Sequence, residues 1–191
     1  MTRTHSVSTM KDPSPDIVLI DDFLPEHDVL LHRLVREVSW DGRMKARKTA
    51  SFGVAYDYAH MSYPHVPVHQ ALVPVCVAIR ERLGFDPNNC LLNLYADGSS
   101  SMGFHFDATE RLAPDTGVAV VSLGAERTIR YRHMSDKTII RSYRMPGGSL
   151  LFMPTRVQHD WLHAVPAEPA AGLRVSLTFR SVTRVAKDHG P

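Results

Sequence analysis

From Cys90 onward the chain is cut into short pieces. Leu91–Tyr95, Gly103–Asp107, Val118–Leu123, Thr128–His133, Thr138–Tyr143, Ser149–Met153, His159–His163 and Leu173–Val182 all read as strands. Gly98, Pro114-Asp115, Gly124, Pro146-Gly147-Gly148, Pro154 and Gly172 punctuate them. So many short strands with frequent turns indicate a sandwich or a barrel. Helical patterns come earlier. Asp21 to Glu26 looks like a helix entry, and Val29, Leu30, Leu34, Val35 and Val38 then recur at helical spacing. A second helix is expected from Pro67 to about Leu83, closed by Gly84. The expected fold is mainly β with flanking helices, a double-stranded β-helix (jelly roll) buttressed by N-terminal helices. No internal repeat and no second domain are visible.

The last strand carries the most information. In Leu173-Arg174-Val175-Ser176-Leu177-Thr178-Phe179-Arg180 the apolar residues take one face and Arg174, Ser176, Thr178 and Arg180 the other. If the apolar face packs outward against a second layer, both arginines look into the jelly-roll cavity. Six residue steps span roughly 20 Å, and two arginines leaning inward leave room for a short dicarboxylate. Guanidinium grips carboxylate through paired N–H donors, which lysine cannot do. Asn93 and Tyr95 share a polar face of their own strand in the same way.

Gly103-Phe104-His105-Phe106-Asp107 contains His-x-Asp. On a strand, these two side chains point the same way and offer two adjacent metal ligands. A third is offered by His159 or His163. Two imidazoles and one carboxylate with open positions suit non-haem Fe(II) and oxygen activation. Zinc is the competing metal, but zinc gives the arginine strand no role.

Composition narrows the setting. The 191 residues are 43% hydrophobic and 22% charged, a globular balance. No apolar run approaches the roughly 20 residues of a membrane span. The polar, proline-containing start has no apolar signal segment. Residues 1–15 and 186–191 are expected to be tails around a single domain over 16–185. Cys76 and Cys90 form no metal knuckle and are expected to be reduced thiols of a cytoplasmic protein, working as a monomer. Net charge is only +2, too small to establish a nucleic-acid partner by itself.

In this order and spacing, Asn93-x-Tyr95-x-x-Gly98, His105-x-Asp107, Trp161-x-His163 and Arg174-x5-Arg180 resemble the AlkB-like Fe(II)- and 2-oxoglutarate-dependent dioxygenases. The resemblance runs from about Asp16 to Val182. It implies His105, Asp107 and His163 as iron ligands, His163 being preferred because it matches the family's Trp-x-His. It implies Asn93, Tyr95, Arg174, Thr178 and Arg180 as 2-oxoglutarate contacts, with Arg174 on the distal carboxylate and Arg180 nearer the metal. Ser176 stands where the family often has asparagine, and is shorter. The cofactors implied are Fe(II), 2-oxoglutarate and molecular oxygen. The implied reaction hydroxylates a substrate C–H; on an N-methyl group the product collapses to formaldehyde and the free base, with succinate and CO2 released.

The basic and aromatic segment 42–66 lies where the family keeps its substrate-recognition lid. Arg47, Phe52, Tyr56, Tyr58 and Glu110 are the candidate substrate contacts. A solvated loop whose tyrosines pack on the core is the alternative for this segment. Arg127, Arg130, Arg132, Lys137, Arg141 and Arg144 could track a nucleic-acid backbone or form the polar face of ordinary strands. After Asp107 come Ala108 and Thr109, where DNA-repair relatives carry acids. That departure points away from the repair relatives' pocket wall; the lid and the resemblance still make alkylated DNA or RNA the expected substrate, with a small-molecule hydroxylase (nucleoside, amino acid or natural product) and a non-catalytic β-sandwich binding module as the other two readings.

Overall fold

The computed structural model describes residues 13–58 and 61–183, with no statement on the side chains of 57, 58, 61 and 62. The two expected tails fall almost wholly outside the described residues. Among the described residues, twelve strands form two facing antiparallel sheets and one hairpin. The larger sheet has the order β1 (Val18–Ile20), β10 (Leu150–Pro154), β7 (Gly117–Gly124), β12 (Arg174–Arg180), β5 (Asn89–Tyr95) and β2 (Lys48–Gly53). The smaller has the order β6 (Met102–His105), β11 (Trp161–Val165), β8 (Arg127–His133) and β9 (Ile140–Met145). The hairpin pairs β3 (Tyr56–Tyr58) with β4 (Met61–Tyr63). This is the jelly roll the strand pattern indicates.

The core lies mainly outside the space between the sheets. Val175, Leu177 and Phe179 of β12 are fully buried with Leu92, Ala119, Val121 and Leu123 of neighbouring strands. They pack under Leu31 and Leu34 of α1 (His27–Glu37) and Val75 and Ile79 of α2 (Val73–Leu83). Each such side chain contributes about 1.5–3 kcal/mol by leaving water. This apolar layer takes one face of β5, β7 and β12, so the residues of opposite parity are committed to the space between the sheets.

Four local departures from the expected pattern have physical causes. The second helix begins at Val73, not Pro67; a single 3-10 turn over Gln70–Leu72 precedes it, capped by His69 Nδ1 accepting from Ala71 N at 3.2 Å. Pro74 has no N–H to donate, and this is harmless only in the first helical turn, which fixes the start. Segment 42–66 is not all loop: Lys48–Gly53 is a strand held along its whole length by β5. His159 lies on a helical turn, α3 (Val157–Asp160), and the strand expected there starts only at Trp161. Finally, β6 ends at His105, so Asp107 lies beyond the strand.

A candidate iron centre beside an arginine slot

One cavity runs between the sheets. The larger sheet lines it with Leu91, Asn93 and Tyr95 of β5, Val120 of β7, and Arg174, Ser176, Thr178 and Arg180 of β12. The smaller sheet faces them with Met102 and His105 of β6, His163 and Val165 of β11, Ile129 and Met145. All four polar residues of β12 are buried, Arg174 and Arg180 to within 2% of complete. The inward reading of that strand is correct.

His105 and His163 are direct register partners across the β6–β11 ladder, and their rings lie 4.2 Å apart. The ladder carries an irregularity here: Val165 pairs with Met102 and His163 with His105, so β6 holds one extra residue. A bulge of this kind turns a side chain to the other face. It is the reason that Met102 and His105, three apart, both line the cavity. Asp107 comes in from the following loop, its Oδ2 3.6 Å from His163 Nε2. One donor atom from each of the three lies within 4.8 Å of the others, and they form the only such cluster among the described residues. His159 is exposed on α3 and is not part of it.

The protonation states suit a cation. His105 Nδ1 lies 2.9 Å from Gly103 O, a carbonyl that can only accept, so Nδ1 carries the proton and Nε2 the lone pair. Burial pushes the His105 imidazole pKa down. Burial, with help from His105, pushes His163 down to about 3. Burial alone would raise Asp107, but the Arg180 guanidinium, then His163 and His105, outweigh it and hold the carboxyl at about 2. At neutral pH the set is two neutral imidazoles and a carboxylate, the forms that bind metal.

The two arginines are used differently. Arg180 Nη2 donates to Asp107 Oδ1, and its guanidinium lies 4.6 Å from the centre of the Tyr56 ring. Arg174 donates from Nε to Ser122 Oγ at 2.9 Å and lies 5.1 Å from the Tyr95 ring centre. No acidic side chain among the described residues pairs with Arg174, and its buried Nη1 has no hydrogen-bond partner among them. Burial pushes its pKa down. A buried guanidinium with an unmet donor is costly unless an anion satisfies it. The cavity thus fits what the resemblance implies: a metal donor set at one end and, at the other, an unmet cation suited to a carboxylate. Gly98 belongs to the frame, because a Cβ there would collide with the backbone of Glu168, whose N–H donates to Gly98 O at 2.8 Å.

The expected substrate contacts fare less uniformly. Arg47 turns to the cavity and donates from Nε to Asn93 Oδ1 at 2.8 Å. Phe52 pairs with Cys90, on the helix side of the sheet, and meets His69 edge to face at 5.6 Å; it points away from the cavity. Tyr56 is buried, its hydroxyl 3.3 Å from Ala108 O, so it backs Arg180 and is no open stacking platform. The side chain of Tyr58 lies outside the described residues. Glu110 is exposed just beyond Asp107. The expected basic stripe does not act as one surface. Arg127 is buried and donates to Ser100 O and Pro166 O, Arg132 covers Phe104 at 4.1 Å, and Arg144 pairs with Glu126.

Two residues escaped sequence reasoning. Phe106, between two members of the cluster, is 54% exposed. Its position inside His-x-Asp was the available signal. Gln158, buried and 51 residues from Asp107, donates nothing to a local motif and gave no signal.

Facing antiparallel sheets, a two-histidine, one-carboxylate cluster and a buried unpaired arginine define the class of non-haem iron oxygenases. The sequence matches the 2OG-Fe(II) oxygenase superfamily over residues 21–180, and the chain belongs to that family, which works with Fe(II), 2-oxoglutarate and molecular oxygen. It is 34% identical over 182 residues to "Alpha-ketoglutarate-dependent dioxygenase alkB homolog 3" of Rattus norvegicus, covering 83% of this chain and 61% of that protein. It is 32% identical over 156 residues to "DNA oxidative demethylase ALKBH2" of Homo sapiens, covering 74% of this chain and 58% of that protein. The chain therefore spans about three fifths of the length of these curated relatives. The solved structure of OsALKBH1 superposes with a TM-score of 0.61 at 17% identity, covering 90% of this chain and 100% of that one, a likeness of fold.

Proposed function

We propose that this chain oxidatively demethylates N-alkylated nucleic-acid bases, with His105, Asp107 and His163 holding Fe(II) and the β12 arginines serving 2-oxoglutarate. One observation carries this: the three metal donors and the unmet Arg174 donor share a single buried cavity. The alkB homolog 3 and ALKBH2 names of the similar proteins support the choice of substrate. Iron, when bound, supplies oxidation of the substrate C–H by oxygen, coupled to conversion of 2-oxoglutarate to succinate and CO2.

The chain's own groups bind, orient and exclude water. Arg174, aimed by Ser122 and Tyr95 and with a buried Nη1 unmet, would hold the distal carboxylate of 2-oxoglutarate. Asn93, Tyr95, Ser176 and Thr178 line the slot, and Arg47 holds the Asn93 amide in place. Arg180 keeps Asp107 ionised and oriented. Val120, Ile129 and Met145 keep water from the walls. Phe106, exposed beside the metal donors, offers a flat face to an unstacked base, and Glu110 is the next acid along the loop after Asp107 and is exposed. We further read the protein as a cytoplasmic monomer; its two thiols are free, as a reducing compartment keeps them.

The packing of Phe52 on the helix side of the sheet and of Tyr56 against Arg180 favours one second reading, hydroxylation of a small molecule, since it leaves the expected lid with fewer base contacts. Succinate release measured against methylated oligonucleotides, nucleosides and amino acids decides. Stimulation by methylated oligonucleotides, with formaldehyde in equal amount, is the expected result. Stimulation by nucleosides or amino acids alone would overturn the nucleic-acid reading.

A further inference from the structure

β6 stops at His105, so no ladder hydrogen bond fixes Asp107 two residues on. Something else must hold a buried carboxylate within reach of two imidazoles. The Asp107 backbone N–H donates to Gln158 Oε1 at 3.0 Å. Both residues are almost completely buried, at 2% and 3% exposure. Gln158 sits on α3, the single turn that leads directly into β11 and His163. Its own N–H is fixed by Thr155 O at 3.1 Å, and its side-chain Nε2 lies 3.7 Å from Met153 Sδ on β10. The amide is thereby oriented with oxygen toward Asp107, since only oxygen can accept from that N–H.

From this geometry we infer that Gln158 is a positioning residue for the metal centre: it clamps the Asp107 loop to the segment that carries His163. It is not one of the three metal donors and does not line the cavity. It acts by fixing the distance between two donors, one on the loop after β6 and one on β11. Arg180 restrains the carboxylate end of Asp107, and Gln158 restrains its backbone, so the side chain is held at both ends. Removing the acceptor frees the loop and also leaves a buried N–H unmet. The inference rests on the proposed iron site. Groups that orient ligands from behind are typically worth about 10–100-fold in metal affinity.

The test uses Co(II), a spectroscopic stand-in for Fe(II), titrated into the full chain without oxygen while the ligand-field absorption is followed. Gln158→Met keeps the volume and removes the acceptor. The expected result is a folded variant whose thermal midpoint lies a few degrees below the parent's, the cost of one unmet buried N–H, and whose Co(II) affinity is about tenfold weaker. Equal affinity in parent and variant would overturn the clamp, whereas a parent that binds no Co(II) would overturn the iron site itself. A second measurement needs no variant. In the metal-free parent, the Asp107 amide should exchange with solvent as slowly as strand amides of β11, although it lies past the end of β6. Exchange at the rate of an open loop would overturn the inference even if Gln158→Met fails to fold.

Discussion

Arg174 and Arg180 stand six residues apart on one face of β12 and look into the same cavity, yet only Arg180 has a carboxylate partner there, Asp107. Arg174 is buried as deeply, makes no ion pair with an acid among the described residues, and keeps a buried Nη1 without a hydrogen-bond partner. One arginine thus belongs to the metal centre and the other awaits an anion.

Replacing Arg180 with alanine strands a buried carboxylate. The expected cost is about 3–5 kcal/mol of stability, because the remaining charge is deprived of its partner. Urea unfolding of the metal-free protein measures it. A loss within about 0.5 kcal/mol, as at an ordinary surface site, would show the pair to be incidental.

Arg174→Lys keeps a positive charge and loses the paired donors and the contact with Ser122. Charge-assisted hydrogen bonds are worth about 1.5–3 kcal/mol, so the 2-oxoglutarate KM should rise about 10–100-fold with the fold unchanged. An unchanged KM would place the cosubstrate elsewhere.

His163→Ala should abolish tight metal binding, and His159→Ala should leave it intact, because His159 is exposed on α3 while His163 pairs with His105. Stoichiometric Co(II) titration of the two variants decides the order. Retention of the metal by His163→Ala and loss by His159→Ala would reverse the assignment.

Acid should weaken the metal-free protein early. His163 is held neutral down to about 3, below its ordinary 6.5, so the unfolded chain takes up a proton first. Its contribution is complete above about pH 6.5 and is lost as the pH falls toward 3. Asp107, held at about 2 against an ordinary 3.8, adds a further loss below about pH 4. Urea midpoints should therefore fall between pH 6.5 and 4, and His163→Ala should flatten that decline. An equal slope in the variant would mean that other groups set it.

Phe106→Ala should weaken binding of single-stranded methylated oligonucleotides by about 1–3 kcal/mol, the usual worth of one base stacked on an aromatic ring. Metal affinity should not change, because the side chain points to solvent. Unchanged oligonucleotide binding would remove Phe106 from the substrate surface.

What the sequence disclosed was set by short-range geometry. The parity of β12 was readable because period two alone assigns Arg174, Ser176, Thr178 and Arg180 to one face, and burial of Val175, Leu177 and Phe179 decides which face is inside. The partners of His105 were readable as residue types but not as positions: His159 and His163 differ only in that a helical turn intervenes, and nothing local announces a four-residue helix. Phe52 was misplaced for a related reason. Its direction follows from pairing with Cys90 across β5, a contact 38 residues away along the chain that the composition of the segment does not reveal. The bulge in β6 and the Gln158 clamp are also long-range products of the fold.

His105, Asp107 and His163 would together hold one metal ion, next to a 2-oxoglutarate carboxylate held by Arg174. Anomalous diffraction from crystals grown with Mn(II), an oxygen-inert substitute, and 2-oxoglutarate tests it directly. The predicted result is a single strong peak bonded to His105, Asp107 and His163, with the distal carboxylate of 2-oxoglutarate on Arg174. A peak on other residues, or a cosubstrate that leaves Arg174 without a partner, would contradict it.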